Sequence, residues 1–185
     1  MKTLLITLVL MVSSSLYAPT FENKIKEEAK IEKKVVKIVE EKTHDDFLDA
    51  LGFKESSNRY GVVNRFGYMG KYQFGMATLK NLGWNISRKE FLSNPHLQEE
   101  AMQDLLEHNY NNLKYYINKF EGKTINGIYI TESGILAAAH LGGAGSVRTF
   151  FKKGYDFQDG NGTKITTYMS LFKGYNLNIY NKNNG

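Results

Sequence analysis

Apolar positions follow three rhythms along the chain. Residues 4–12 are a nine-residue stretch that is apolar apart from Thr7. Residues 22–42 scatter Ile25, Ile31, Val35, Ile38 and Val39 among charges. From Thr43 onward, apolar residues recur at three- and four-residue spacings interrupted by glycines, the mark of helices joined by turns.

The third zone opens with Thr43-His44-Asp45-Asp46, an N-cap threonine followed by an acidic residue three positions on. Phe47, Leu48 and Leu51 then share one arc of about 100°, and Glu55 falls inside it. A helix carried that far points a carboxylate along its apolar face. Residues 58–75 read as loop or short strand. Residues 76–82 read as a short helix ended by Gly83. Asn94-Pro95 starts a long helix, with Asn as N-cap and Pro in the first turn, reaching about Phe120. Thr124-Ile125-Asn126-Gly127-Ile128-Tyr129-Ile130 predicts a hairpin around Asn-Gly. Thr131 caps a further helix ended by Gly142-Gly143, residues 146–153 form a short one stopped by Gly154, and Thr163 caps a last one over 165–173. No repeat is visible. The expected fold is a single, mainly α domain with a minor β-hairpin.

The first zone has the form of a secretory leader. Lys2 is its positive end, and the apolar stretch is far short of the roughly 20 residues that span a bilayer. Cleavage after Ala18 puts Leu16 where a small residue is usual, whereas cleavage after Ser15 places Ser13 and Ser15 there; an uncleaved short anchor is the alternative. In residues 22–42, seven Lys and six Glu make 13 of 21 positions charged. That composition suits a solvated spacer, helical or disordered, with a short coiled coil or docking helix as the alternative. The expected organisation is a leader over 1–18, a charged spacer over 19–43 and one domain over 44–185, exported from the cytoplasm.

Composition narrows the chemistry. Cys is absent, which excludes a disulfide framework, a thiolate metal site and a Cys nucleophile. Four His make a His-rich metal centre a poor expectation. The formal charge of +5 on 185 residues favours an anionic partner: nucleic acid, anionic lipid or anionic cell-wall polymer.

Glu55 is the first candidate for chemistry. In a wall of low dielectric, desolvation disfavours a carboxylate anion, so a carboxyl can keep its proton near neutral pH and serve as a general acid for a glycosidic oxygen. The bland alternative is a helix-end carboxylate turned back to solvent. Glycoside hydrolysis ordinarily needs a second carboxylate. None occurs from Ser56 to Lys89, a stretch that instead carries Arg59, Arg65, Lys71, Lys80, Arg88 and Lys89. Glu132 or Asp156 would have to fold in from a distance. The cations are either ordinary surface or an attraction for an anionic polymer.

Gly67-Tyr68-Met69-Gly70-Lys71-Tyr72-Gln73-Phe74 is the second feature. Its glycines permit close backbone approach to a ligand, Tyr68 and Tyr72 can stack on sugar faces, and Gln73 offers a neutral amide. The third is Ala139-His140-Leu141-Gly142-Gly143-Ala144-Gly145-Ser146-Val147. A helix precedes these glycines and no Gly-Lys-Ser/Thr follows, so a phosphate loop is rejected. His140 is more readily a satisfied helix histidine than a base. Asp156, Asp159 and Asn161 lack the spacing of a calcium loop and read as a polar turn.

These three features, in this order over residues 47–150, resemble the bacterial lytic transglycosylases of the lysozyme-like superfamily. Glu55-Ser56 matches that family's Glu-Ser at a helix end. Residues 67–73 match its Gly-x-Met-Gly-Leu-Met-Gln, and residues 139–147 its Ala-Tyr-Asn-x-Gly-x-Gly-x-Val. Residues 159–163 with Tyr168 and Phe172 are similar to the C-terminal part of one branch. His140 and Leu141 stand where the family has Tyr and Asn, and Lys71-Tyr72 where it has Leu-Met. The resemblance implies a lysozyme-like fold and cleavage between N-acetylmuramic acid and N-acetylglucosamine. Glu55 would be the catalytic acid. Ser56, Tyr68, Met69, Tyr72, Gln73, His140 and Gly143 would contact the glycan. It further implies peptidoglycan strands as partner, no nucleic acid, no metal or other cofactor, and a monomer peripheral to the envelope, periplasmic or secreted. A muramidase of the same fold and a non-catalytic glycan-binding envelope protein are the alternatives.

Overall fold

The computed structural model describes residues 21–40 and 42–178. The expected leader lies outside the described residues. The chain divides into two compact units, Met1–Glu41 and Lys42–Gly185. In the first, the charged stretch forms one helix, α1 (Phe21–Glu40), with a Glu22–Lys26 ion pair of 2.8 Å on its exposed surface. Among the described residues, no helix is long and apolar enough to cross a membrane.

The second unit is mainly helical with one small sheet. α2 (His44–Ser56) begins in a full capping box: Thr43 accepts from the Asp46 amide and Asp46 accepts from the Thr43 amide. Phe47, Leu48 and Leu51 are buried, as their shared arc predicts. Each such side chain contributes about 1.5–3 kcal/mol on burial. After a looped stretch come α3 (Met76–Asn81) and α4 (Arg88–Ser93). α4 is not foreseen by the apolar pattern; six residues are too few to display a period, and its signal is the Ser87 cap, which accepts from the Glu90 amide.

α5 (Pro95–Phe120) is the central helix, starting at Asn94 as expected. Its Ala101, Met102, Leu106, Leu113 and Ile117 form the middle of the core. Strands β1 (Thr124–Ile125) and β2 (Ile128–Tyr129) pair antiparallel, Thr124 with Tyr129 and Ile125 with Ile128. Asn126 and Gly127, with φ of 50° and 79°, supply the tight turn between them.

The two helices expected on either side of the Gly142-Gly143 pair are both present, joined across a kink in one element, α6 (Glu132–Lys153). It is broken by a single non-helical residue, Gly143, at φ 76° and ψ 157°, a conformation open essentially to glycine. α7 (Ile165–Leu171) starts where expected and ends earlier. Thr163 does not cap it, because its backbone is engaged with Asp159 in the preceding turn. α6 packs on both α5 and α7. Gly134 permits the α6–α7 approach: a Cβ there would lie 2.6 Å from the Met169 carbonyl oxygen. That close packing brings Tyr168 to the C-terminal end of α2.

Candidate active site

α2 delivers Glu55 to the site and is stopped immediately behind it. Ser57 and Asn58 take left-handed conformations, and their amides bond back to Phe53 and Gly52. The Ser56 hydroxyl, buried, donates 2.8 Å to the Lys71 carbonyl and accepts from the Arg59 amide, tying the helix end to the loop beyond it. Gly52 leaves room for the Lys71 side chain, since a Cβ would lie 2.5 Å from Lys71 Cε.

The loop is fixed from α5. Gln98, fully buried, accepts from the Lys71 amide at 2.8 Å and donates to the carbonyls of Tyr60 and Phe91. Glu99 accepts from Tyr60 at 2.6 Å, Tyr72 at 2.5 Å and Lys71 Nζ at 2.9 Å. Burial pushes the Glu99 carboxyl up, but these hydrogen bonds and the Lys71 charge outweigh it and hold it below the usual carboxylate range. Burial, then the bond to Glu99, holds the Tyr72 phenol well above its ordinary value.

In front of this bracing lies a cleft of about 530 Å³. Glu55, Tyr68, Gln73, His140 and Gly143 all line it. The Glu55 side chain is 15% exposed. Tyr168, from α7, donates to its Oε1 at 2.6 Å. The same Oε1 lies 3.8 Å from His140 Nε2. Among the described residues, Oε2 has no hydrogen-bond partner. Burial, then the Glu55 charge, holds the Tyr168 phenol well above its usual value. Tyr168 therefore stays a donor at any working pH. The His140 side chain is 7% exposed, packs edge-on against Phe74 and, among the described residues, leaves Nδ1 buried without a partner.

Three expected contact residues face elsewhere. Met69 is fully buried in the core, where its backbone bridges Val63 and Phe74. Tyr72 is fully buried and held by Glu99, so its ring does not offer a sugar platform; Tyr68, 47% exposed, does. Ser56 braces the loop rather than lining the cleft. The six cations of residues 59–89 do not line the cleft either. Lys71 is paired with Glu99, while Arg59, Arg65 and Arg88 bond to Ser56, Asn161 and Gly67. The guanidinium that does line it is Arg148, on α6.

Sequence reasoning missed most of the far wall. Leu105, His108, Asn109 and Asn112 line the cleft from one face of α5, at helical spacing. Their polar members interrupt an otherwise apolar stripe, and that interruption was the available signal. Asp159 also lines the cleft, whereas Glu132 and Asp156 do not. Asp156 accepts from Thr166 at 2.7 Å, and Glu132 sits beside Glu121 at the start of α6. Asp159 Oδ1 is occupied by the amides of Asn161 and Thr163, the polar turn read from the sequence. Among the described residues, no cluster of three or more His, Asp or Glu is placed to hold a metal ion.

No protein-family model, curated protein or solved structure matches the chain. The site's chemistry therefore rests on its geometry and on the short motifs that build it. Those motifs converge: Glu55, residues 67–75 and residues 139–144 come from three separate segments, and each contributes to one cleft.

Proposed function

We propose that the second unit is a peptidoglycan lytic transglycosylase, cleaving between N-acetylmuramic acid and N-acetylglucosamine and leaving a 1,6-anhydro ring. The observation that carries this reading is the asymmetry of Glu55: Oε1 is held by Tyr168, while Oε2 has no partner in a cleft lined by amides and an exposed tyrosine. A carboxyl anchored by one oxygen presents the other in a fixed direction, as general acid catalysis requires. Glu55 gives its proton to the glycosidic oxygen as the bond to the anomeric carbon breaks. The substrate's own N-acetyl carbonyl stabilises the resulting positive charge. Glu55, now a carboxylate, takes the proton of the 6-hydroxyl, and that oxygen closes on the anomeric carbon. The tethered hydroxyl needs no second carboxylate to activate it. The leader-like first residues fit an exported enzyme.

One observation favours a second reading. Asp159 puts another carboxylate on the cleft wall, and a muramidase would use it to activate water or stabilise the anomeric carbon. Against this, one of its oxygens already organises its own turn.

Mass spectrometry of fragments from purified peptidoglycan decides between the two. Anhydro products are lighter by one water than hydrolysed ones. The expected result is anhydro ends from the wild type, at least a hundredfold loss in Glu55→Gln with folding retained, and anhydro ends still formed by Asp159→Asn. Reducing ends that vanish with Asp159→Asn make the protein a hydrolase. Binding of strands with no cleavage makes it a glycan-binding module.

A further inference from the structure

Two turns that line the cleft meet, and we propose that this clasp makes the enzyme cut from strand ends rather than at internal bonds, an inference that rests on the cleavage reading above. The first turn, residues 64–68, is held by hydrogen bonds. Asn64 Oδ1 accepts from the amides of Phe66 and Tyr68 at 2.9 and 3.0 Å, and Arg88 donates to the Gly67 carbonyl at 3.2 Å. The second turn follows Gln158 and is equally pinned. Asp159 accepts from the Asn161 and Thr163 amides at 2.9 and 2.7 Å, and Gln158 bridges Lys164.

The two turns come from segments almost a hundred positions apart and touch directly. Arg65 Nη2 donates to Asn161 Oδ1 at 2.8 Å. The Arg65 guanidinium lies over the Phe66 ring, 4.6 Å from its centroid. That ring lies against Gly160, where a Cβ would stand 3.5 Å from Phe66 Cζ. Asn64 and Phe66 on one side, and Asp159, Gly160 and Asn161 on the other, line the same cleft as Glu55.

Where the turns touch, no strand passes between them. A glycan must thread beneath the contact or end at it. An internal bond of a long strand reaches Glu55 only after the clasp opens, whereas a free end enters with the clasp shut. Opening breaks a charge-assisted hydrogen bond and separates Phe66 from Gly160. Phe66, half exposed, is placed to meet the terminal sugar.

The test follows fragment length during digestion of long, purified glycan strands by the full chain and by Arg65→Ala/Phe66→Ala. Both side chains are exposed, and a melting curve verifies that the variant is folded. The wild type is expected to release fragments of one or two repeats from the earliest times while the remaining strands shorten slowly. The variant is expected to release early fragments severalfold longer. Long fragments from the wild type at the outset overturn the clasp and leave the cleavage reading standing. Short fragments from both proteins overturn it as the cause of end-wise cutting. If neither protein cuts strands at all, the cleavage reading fails, and the clasp proposal falls with it.

Discussion

The hydroxyl of Tyr168 and the carboxyl of Glu55 are separated by 113 positions in the chain and 2.6 Å in space. The phenol does not react in the proposed chemistry; it holds one carboxyl oxygen so that the other keeps a constant direction. Tyr168→Phe preserves the buried ring and removes only the donor. The expected outcome is a roughly tenfold fall in kcat with little change in KM, the equivalent of one hydrogen bond to a charged group. Steady-state rates on soluble glycan fragments measure it. Glu55 was legible in the sequence because a carboxylate in the arc of Phe47, Leu48 and Leu51 breaks a local pattern. Tyr168 breaks none: it is one of twelve tyrosines, and nothing near it in the chain names its partner. Tyr72 shows the converse. It occupies a motif where an aromatic suits sugar stacking, yet Glu99, a residue of α5, draws its hydroxyl inward.

Among the elements, the loop between α2 and α3 depends on a neighbour. Its shape is set by Gln98 and Glu99 of α5, which reach Tyr60, Lys71 and Tyr72. The Glu99 carboxyl titrates lower in the folded protein than in the unfolded chain, so its contribution is present above the ordinary carboxylate range. It is lost as pH falls through the lowered value. Glu99→Gln is expected to cost roughly 2 kcal/mol at neutral pH and to flatten the loss of stability on acidification, because the titrating group is gone. Thermal unfolding followed from neutral pH down through the carboxylate range checks both. Helix starts at Thr43, Asn94 and Thr131 and the Asn-Gly hairpin were legible because each is fixed by chemistry within four residues. α4 is too short to show a period, and the α7 cap was misassigned because Thr163 is claimed by Asp159, a competition that spacing does not display.

At the scale of the whole molecule, the second unit is closed by its own ends. The Asn176 amide donates to the Lys42 carbonyl at 2.7 Å, and His44 Nδ1 lies 2.8 Å from the Leu177 carbonyl. A chain beginning at Lys42 retains these bonds and the Thr43 cap. It is expected to digest peptidoglycan within about twofold of the full-length rate, since every described residue that lines the cleft lies within Lys42–Gly185. Rates of the two chains on the same substrate measure this; a folded but inactive short chain would make α1 part of the site. The order in which the chain is made adds a further consequence. Ribosomes build α2 well before α7, so for much of synthesis Glu55 exists without the residue that holds it. A chain made only as far as α6 carries the proposed acid but not the aim, and on the proposed reading cutting waits for α7 to emerge and dock.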